Sequence, residues 1–166
     1  MSGAHTLAET ERQVDERLSH MTLDFQAMAV TSNLFRAASA VRNHLERTVL
    51  SSNDLSWTAF VVLWVTWIWE PLETRQIAEE GGFSKATLTG VLSTLEGRGL
   101  LTREKSATDG RLVIVQLTSK GRKMMDKLFP AFNKQERQLA ASIDSSKQVD
   151  FAEMLRLITK KAEATN

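Results

Sequence analysis

The side chains best suited to bind another molecule are short hydroxyls and long cations gathered in residues 84–120. Hydroxyl and guanidinium groups hydrogen-bond phosphate oxygens and the edges of bases, so this combination is typical of a nucleic-acid interface. The candidates singled out by type and spacing are Ser84, Lys85, Thr87, Thr89, Gly90, Ser93, Arg98, Arg103, Lys105, Asp109, Arg111 and Lys120.

A helix predicted over residues 85–98 would carry the first of these candidates. Its opposite side is a core face made of Leu88, Val91, Leu92 and Leu95. The candidate face is small, polar and free of acids before Glu96, so it can lie close against another surface. A DNA major groove, about 12 Å wide, admits such a helix. Ser84 is predicted to cap the helix, whose N-terminus favours a phosphate oxygen.

The hydroxyls and the charge on this helix have different predicted roles. Thr87 and Thr89 are expected to hydrogen-bond base edges or phosphates, and a threonine methyl can touch a thymine methyl. Lys85 would supply charge without information about the base. Because these contacts are short and weak, part of the specificity is expected to come from DNA shape.

Two strands predicted over 100–105 and 111–117 form a hairpin, the wing, with Arg111 near its tip. The wing follows two short helices predicted over 75–80 and 85–98 with a tight turn between them, which is the order of a winged helix-turn-helix. Asp109, two residues earlier in a tight turn, is expected to fix the guanidinium so that it enters a narrow minor groove in one pose. The alternative is a plain surface ion pair, worth about 0–1 kcal/mol. The other cations are predicted phosphate contacts: Arg98, Arg103, Lys105 and Lys120.

The distribution of charge supports this interpretation better than the net charge of +1 does. Residues 84–123 hold eight basic and three acidic residues, a balance of +5, which leaves −4 for the remainder. One basic segment on an acidic scaffold is typical of a DNA-binding protein. A chance local excess is one alternative. The other is a winged-helix protein-interaction module without sequence-specific DNA binding, which would not need the basic segment.

The elements around this segment are predicted to be amphipathic helices, over 22–50, 55–69 and 75–80 before it and from 119 and 145 or 146 after it. Asp54 or Ser56, Thr74 and Ser119 are the predicted N-caps, Pro130 is expected to kink its helix, and helix 55–69 should be buried on most sides. Residues 1–20 could form a short helix or be disordered.

The apolar stripes of the flanking helices exceed what one small winged domain can cover, which favours a homodimer. A monomeric helical bundle is the alternative. The predicted division is an N-terminal extension (1–21), an N-terminal dimerisation helix (22–54), a winged helix-turn-helix DNA-binding domain (55–121) and C-terminal dimerisation helices (122–166).

Several classes of function are excluded by residues that are missing. The chain has no cysteine, so it has no disulfide, thiolate ligand or cysteine redox switch. Its three histidines, at positions 5, 20 and 44, have no metal-ligand spacing, and no catalytic motif is present. We therefore expect no enzyme activity, cofactor or metal. No apolar run is long enough for a membrane span and no signal peptide is evident, so a cytoplasmic protein is expected.

The pattern resembles the MarR family of winged helix-turn-helix transcription regulators. The resemblance is carried by Ile77–Ala78, Ser84-x-x-Thr87-Leu88-Thr89, Leu95-Glu96-x-x-Gly99-Leu100-Leu101, Asp109-Gly110-Arg111 and Leu117-Thr118-x-x-Gly121. It implies a mainly α fold with a small β wing, in which the winged helix-turn-helix domain is flanked by N- and C-terminal dimerisation helices.

The resemblance also implies a function. Such a homodimer binds a pseudo-palindromic double-stranded DNA operator, usually as a repressor that a small aromatic or phenolic effector releases. The family's effector site commonly lies between the dimer base and the winged domain, where Arg42, His44, Trp64 and Trp67 are the candidates. This chain departs from the family at Gly81, where a large apolar residue is common, and at Gly90, where many members carry arginine.

Overall fold

The computed structural model describes residues 5–164, which divide between His44 and Leu45 into two compact units. Residues 1–4 of the predicted extension and residues 165–166 of the predicted C-terminal segment lie outside the described part. The division into four functional segments remains a prediction.

The N-terminal unit consists of two helices. Helix α1 spans Leu7–Leu18, and its N-cap Thr6 accepts a hydrogen bond from the Glu9 amide. For this part of the chain the sequence left helix and disorder open, and the structure has the helix. Helix α2 spans Phe25–Leu45, beginning three residues after the predicted start. Asn33 Nδ2 of α2 donates to a carboxylate oxygen of Glu11 in α1 at 2.5 Å.

The C-terminal unit has the order of a winged helix. This unit opens with a π turn (Glu46–Leu50) and a 3-10 turn (Ser51–Asn53). The elements that follow are α3 (Trp57–Trp69), β1 (Leu72–Glu73), α4 (Thr74–Gly81), α5 (Lys85–Gly97), β2 (Leu101–Lys105), β3 (Val113–Leu117), α6 (Ser119–Ala140), a 3-10 turn (Ser145–Lys147) and α7 (Gln148–Glu163). The predicted mainly α fold with a small β wing is confirmed.

The sheet has one strand more than the predicted hairpin. Its order is β1-β3-β2, and Leu72 of β1 pairs with Val115 of β3. Strand β1 has two residues, so it is too short to show the alternation by which a strand is recognised in a sequence. It becomes a strand because β3 supplies the partner.

Two predicted N-caps were wrong by one residue, because the extended residue that precedes each helix is the cap. Glu73 precedes α4 and its amide donates to the Gln76 side chain at 2.8 Å, so Thr74 already belongs to the helix. Thr118 precedes α6 and its hydroxyl accepts from the Gly121 amide at 3.0 Å. At α3 the cap is Ser56, one of the two residues predicted.

The core of this unit is formed where α3, α4 and α5 pack on the sheet. Its fully buried members include Leu63, Ile77, Leu95 and Val115. No residue of α3 is exposed over its first three turns, whereas Ile68 and Trp69 at its end are about half exposed. Aromatic contacts join α3 to α6: the rings of Phe60 and Phe132 stack with centroids 4.3 Å apart. Helix α6 is unbroken through Pro130.

Candidate nucleic-acid interface

Helix α5 presents two different faces because its apolar residues recur at helical spacing. Leu88, Leu92 and Leu95 are buried in the core. The candidates on the other face, Lys85, Thr87, Thr89, Gly90 and Ser93, are all exposed. At the start of the helix the Ser84 hydroxyl accepts a hydrogen bond from the Thr87 amide at 3.1 Å, which leaves the other first-turn amides open to an anion.

Most threonine hydroxyls on this face are engaged with the helix itself. Thr89 Oγ1 donates to the Lys85 carbonyl at 2.8 Å, and Thr94 Oγ1 donates to the Gly90 carbonyl at 3.1 Å. The hydroxyls of Ser84 and Thr87 lie 2.8 Å apart. With their hydrogens committed, Thr89 and Thr94 present lone pairs and methyl groups to whatever the helix meets.

The tip of the wing, residues 106–112, is a tight turn that exposes Arg111. Asp109 Oδ1 accepts a hydrogen bond from the Arg111 backbone amide at 3.0 Å, whereas Arg111 Nε is 3.8 Å from the same oxygen. The Asp109 amide in turn donates to the Ser106 hydroxyl. The aspartate therefore holds the backbone of the arginine more firmly than its guanidinium. The Arg111 side chain is 95% exposed and is available to a partner.

Three of the four cations predicted to contact phosphates have acceptors within the protein. Arg98 donates to the backbone carbonyls of Asp54, at 2.6 Å, and Asn53, at 2.9 Å. Lys120 Nζ donates to the Arg98 carbonyl at 2.7 Å. These contacts join the turn before α3, the end of α5 and the start of α6, so a phosphate would have to compete with them.

The third is Arg103 on β2. Its Nε and one terminal nitrogen donate to Glu96 Oε2 at 3.0 and 2.5 Å, and that nitrogen also donates to the Ser93 hydroxyl at 3.3 Å. The hydrogen bond from Arg103 lowers the pKa of Glu96 below its ordinary value. Arg103 thus ties the wing to the last turns of α5. Lys105, the fourth cation, is exposed.

Sequence reasoning missed Glu70, a mostly buried carboxylate at the end of α3. One oxygen accepts the Leu117 amide hydrogen at 2.6 Å, and the other pairs with Arg122 of α6. The carboxylate therefore joins α3 to β3 and α6, which sets where the wing leaves the helical core. A lone glutamate before a proline shows no periodicity, so nothing in the sequence pointed to this role.

Comparison with known proteins agrees with this arrangement. The MarR family model matches residues 55–113, from the start of α3 to the wing. The Bacillus subtilis HTH-type transcriptional regulator YwaE is 33% identical over 171 residues, an alignment that covers 99% of this chain and 100% of YwaE. The chain belongs to the MarR family. It is a DNA-binding transcriptional regulator and not an enzyme.

Two solved MarR-type structures share the fold. The Staphylococcus aureus MepR–DNA complex has a TM-score of 0.72 and 21% identity, covering 78% of this chain and 96% of MepR. Bordetella bronchiseptica BpsR, whose DNA binding is regulated by 6-hydroxynicotinic acid, has a TM-score of 0.71 and 25% identity, covering 78% of this chain and 98% of BpsR.

The candidate effector residues of this MarR-family chain are divided between its two units. Arg42 and His44 belong to the N-terminal unit, and Trp64 and Trp67 belong to α3. Both tryptophans are partly buried: Trp64 meets Trp69 edge-on, and Trp67 lies 5.5 Å from Phe129 between ring centroids. The effector site remains a prediction.

Within residues 5–164, no group of three or more histidines and carboxylates could hold a metal ion. No helix in that part of the chain is long and apolar enough to cross a membrane.

Proposed function

We propose that this regulator is a cytoplasmic homodimeric repressor that binds a pseudo-palindromic operator and is released by a small aromatic or phenolic effector. In each subunit α5 enters a major groove and the wing reaches the neighbouring minor groove. Ser84, Lys85, Thr87 and Thr89 face the DNA in the first element, and Arg111 does so in the second.

The DNA contact is inferred from the exposed side chain of Arg111 and from the hydrogen bond that holds its backbone. Its side chain is 95% exposed, while its backbone is held by Asp109 in a turn of fixed shape. Arg98, Arg103 and Lys120 are bonded within the protein, whereas the guanidinium of Arg111 is open to a partner and its backbone is held in place. A narrow minor groove attracts an arginine presented in this way.

The dimer is supported by where large apolar side chains are exposed. In the winged part of the chain, α3 to β3, these are Ile68 and Trp69 alone among the described residues. The flanking helices and their connections expose many more: Leu7, Met21, Leu23, Met28, Val30, Phe35, Val41, Val149, Phe151, Met154 and Leu157. Apolar surface of this extent marks an interface. A symmetric pair would present two copies of α5 to half-sites about 34–36 Å apart, one turn of DNA.

The proposal of an aromatic effector is supported by two tryptophan side chains of α3. The partly buried faces of Trp64 and Trp67 offer stacking surfaces for an aromatic ring. The regulation of BpsR by 6-hydroxynicotinic acid is a precedent for such a ligand in a protein of this fold.

The test begins by selecting bound duplexes from random DNA, which returns the half-site, its spacing and its symmetry. Arg111→Ala should then bind the selected duplex at least about tenfold more weakly. Arg17→Ala, which removes the same charge from an exposed position in α1, is the matched control. Wild-type affinity in Arg111→Ala would remove this residue from the interface, and sedimentation of the free protein at the 18.6 kDa mass of one chain would contradict the dimer. Aromatic acids added to the same titration should release the duplex.

A further inference from the structure

Gly90 lies in the middle of α5, and nothing within the protein explains why it is a glycine. A Cβ built at this position would meet no atom of the chain within 4 Å, and the backbone is not in the left-handed region. Gly121 in α6 is the opposite case, because a Cβ there would collide with the Leu100 carbonyl oxygen. Glycine is disfavoured in a helix interior relative to alanine. Packing within the chain therefore does not require a bare backbone at position 90, which is left open to a partner.

The surroundings of Gly90 show what kind of surface it would meet. The residues one helical turn from Gly90 are all exposed and all have short side chains: Ala86, Thr87, Ser93 and Thr94. The hydroxyl groups of the neighbouring Thr89 and Thr94 donate hydrogen bonds to backbone carbonyls of the helix. Around the glycine the helix thus presents methyl groups, hydroxyl oxygens and a gap the size of one methyl group.

The base edge in the major groove that best matches such a surface is that of thymine. Guanine, cytosine and adenine present donors and acceptors there, whereas thymine adds a 5-methyl group. A base-edge donor or acceptor set against a methyl group would lose water without gaining a hydrogen bond, which is unfavourable. A methyl group loses nothing and fills the space.

We propose that Gly90 is a specificity-determining residue, and that the gap it leaves in α5 receives the 5-methyl group of a thymine in each operator half-site. This inference rests on the proposed function, in which α5 lies in the major groove. It goes further by naming the base that this part of the helix selects and the atom by which the base is recognised.

The experiment fills the gap in the protein and removes the methyl group from the DNA. The probes are the duplex that the wild-type protein selects from random DNA and copies in which each thymine of the half-site is replaced in turn by deoxyuridine. Gly90→Ala should bind the selected duplex at least about tenfold more weakly, the effect of an unfavourable base pair. At one thymine position, deoxyuridine should restore most of the variant's affinity while weakening the wild-type protein several-fold.

The control variant is Gly97→Ala, because Gly97 also has open space for a Cβ and lies seven residues along the same face. It should keep nearly wild-type affinity for every duplex. Gly90→Ala should melt about 2 °C higher than the wild-type protein, since alanine favours the helix, so a loss of DNA binding cannot be attributed to unfolding.

Three results would overturn the inference: half-sites without a fixed thymine, undiminished binding by Gly90→Ala, or a loss that no deoxyuridine position relieves. The Arg111→Ala titration separates this failure from failure of the proposed function. If Arg111→Ala still weakens binding, the DNA interface stands and only the role of Gly90 is wrong.

Discussion

Replacing Arg98 by alanine should destabilise the protein rather than remove a phosphate contact. Its guanidinium is half-buried and donates to the carbonyls of Asp54 and Asn53 at 2.6 and 2.9 Å. Asp54 has a left-handed backbone, with φ at 52°, and the next residue, Leu55, is buried. Arg98 therefore holds the turn that leads into α3 against the end of α5.

The expected magnitude follows from the exposure of these two hydrogen bonds. A hydrogen bond from a charged donor contributes about 1.5–3 kcal/mol to the free energy of unfolding when it is shielded from water. Only the bond to Asn53 is partly buried, and water replaces much of the exposed bond to Asp54. We therefore expect Arg98→Ala to lower the free energy of unfolding by about 2 kcal/mol, which lowers the melting temperature by about 4–8 °C.

Stability is measured by urea unfolding, which circular dichroism follows. The protein concentration is held fixed, because the stability of a dimer depends on it. Binding to the selected duplex is measured at several salt concentrations. Arg111→Ala is the matched control: it removes the same charge from a 95% exposed site and should change stability by less than about 0.5 kcal/mol. The reasoning is refuted if Arg98→Ala unfolds at the wild-type midpoint and its salt slope is smaller by about one unit, the loss expected for one phosphate contact.

Two further predictions concern other contacts that position the wing and α5. Glu70→Gln should lower the free energy of unfolding by about 1 kcal/mol in the same urea assay, because Arg122 loses its carboxylate partner but is half exposed and is then solvated by water, while an oxygen remains for the Leu117 amide. Arg103 lowers the pKa of Glu96 from its ordinary 4.5, so this pair stabilises the protein above that pH and its contribution is lost as the pH falls through the lowered pKa. Unfolding measured between about pH 6 and pH 3 should therefore show a smaller loss in Glu96→Gln than in the wild-type protein, and equal losses would contradict this role.

The parts of the interface that could be predicted from the sequence are those with a local cause. Helix α5 follows from a serine cap and apolar residues at helical spacing, and both ends of the predicted helix lie within one residue of those observed. The wing follows from a turn sequence and from the alternation of Val113, Val115 and Leu117 after it. Each of these signals lies within a few residues of the element it specifies, so no knowledge of packing was needed.

Apart from the two N-caps, each misplaced by one residue, the errors concern interactions between distant residues. Strand β1 exists only because β3 lies beside it, since two residues carry no pattern of their own. Glu70 and the Leu117 amide that it accepts are 47 residues apart, and Arg98 and the Asp54 carbonyl are 44 apart. The sequence assigned Arg98 to a phosphate contact, because charge and position in a basic segment do not reveal an acceptor that packing brings to it.

By itself the sequence determined which face of α5 is buried, that a hairpin follows this helix, and that the segment from residue 84 to residue 123 is basic. Those properties depend on residue type and on spacing of a few residues. The tertiary structure decided which cations remain open to a partner, because a carbonyl or carboxylate must come within about 3 Å of a guanidinium to engage it. Such approaches are set by the packing of α3, α5, α6 and the sheet, and this packing leaves Arg111 exposed and engages Arg98 and Arg103.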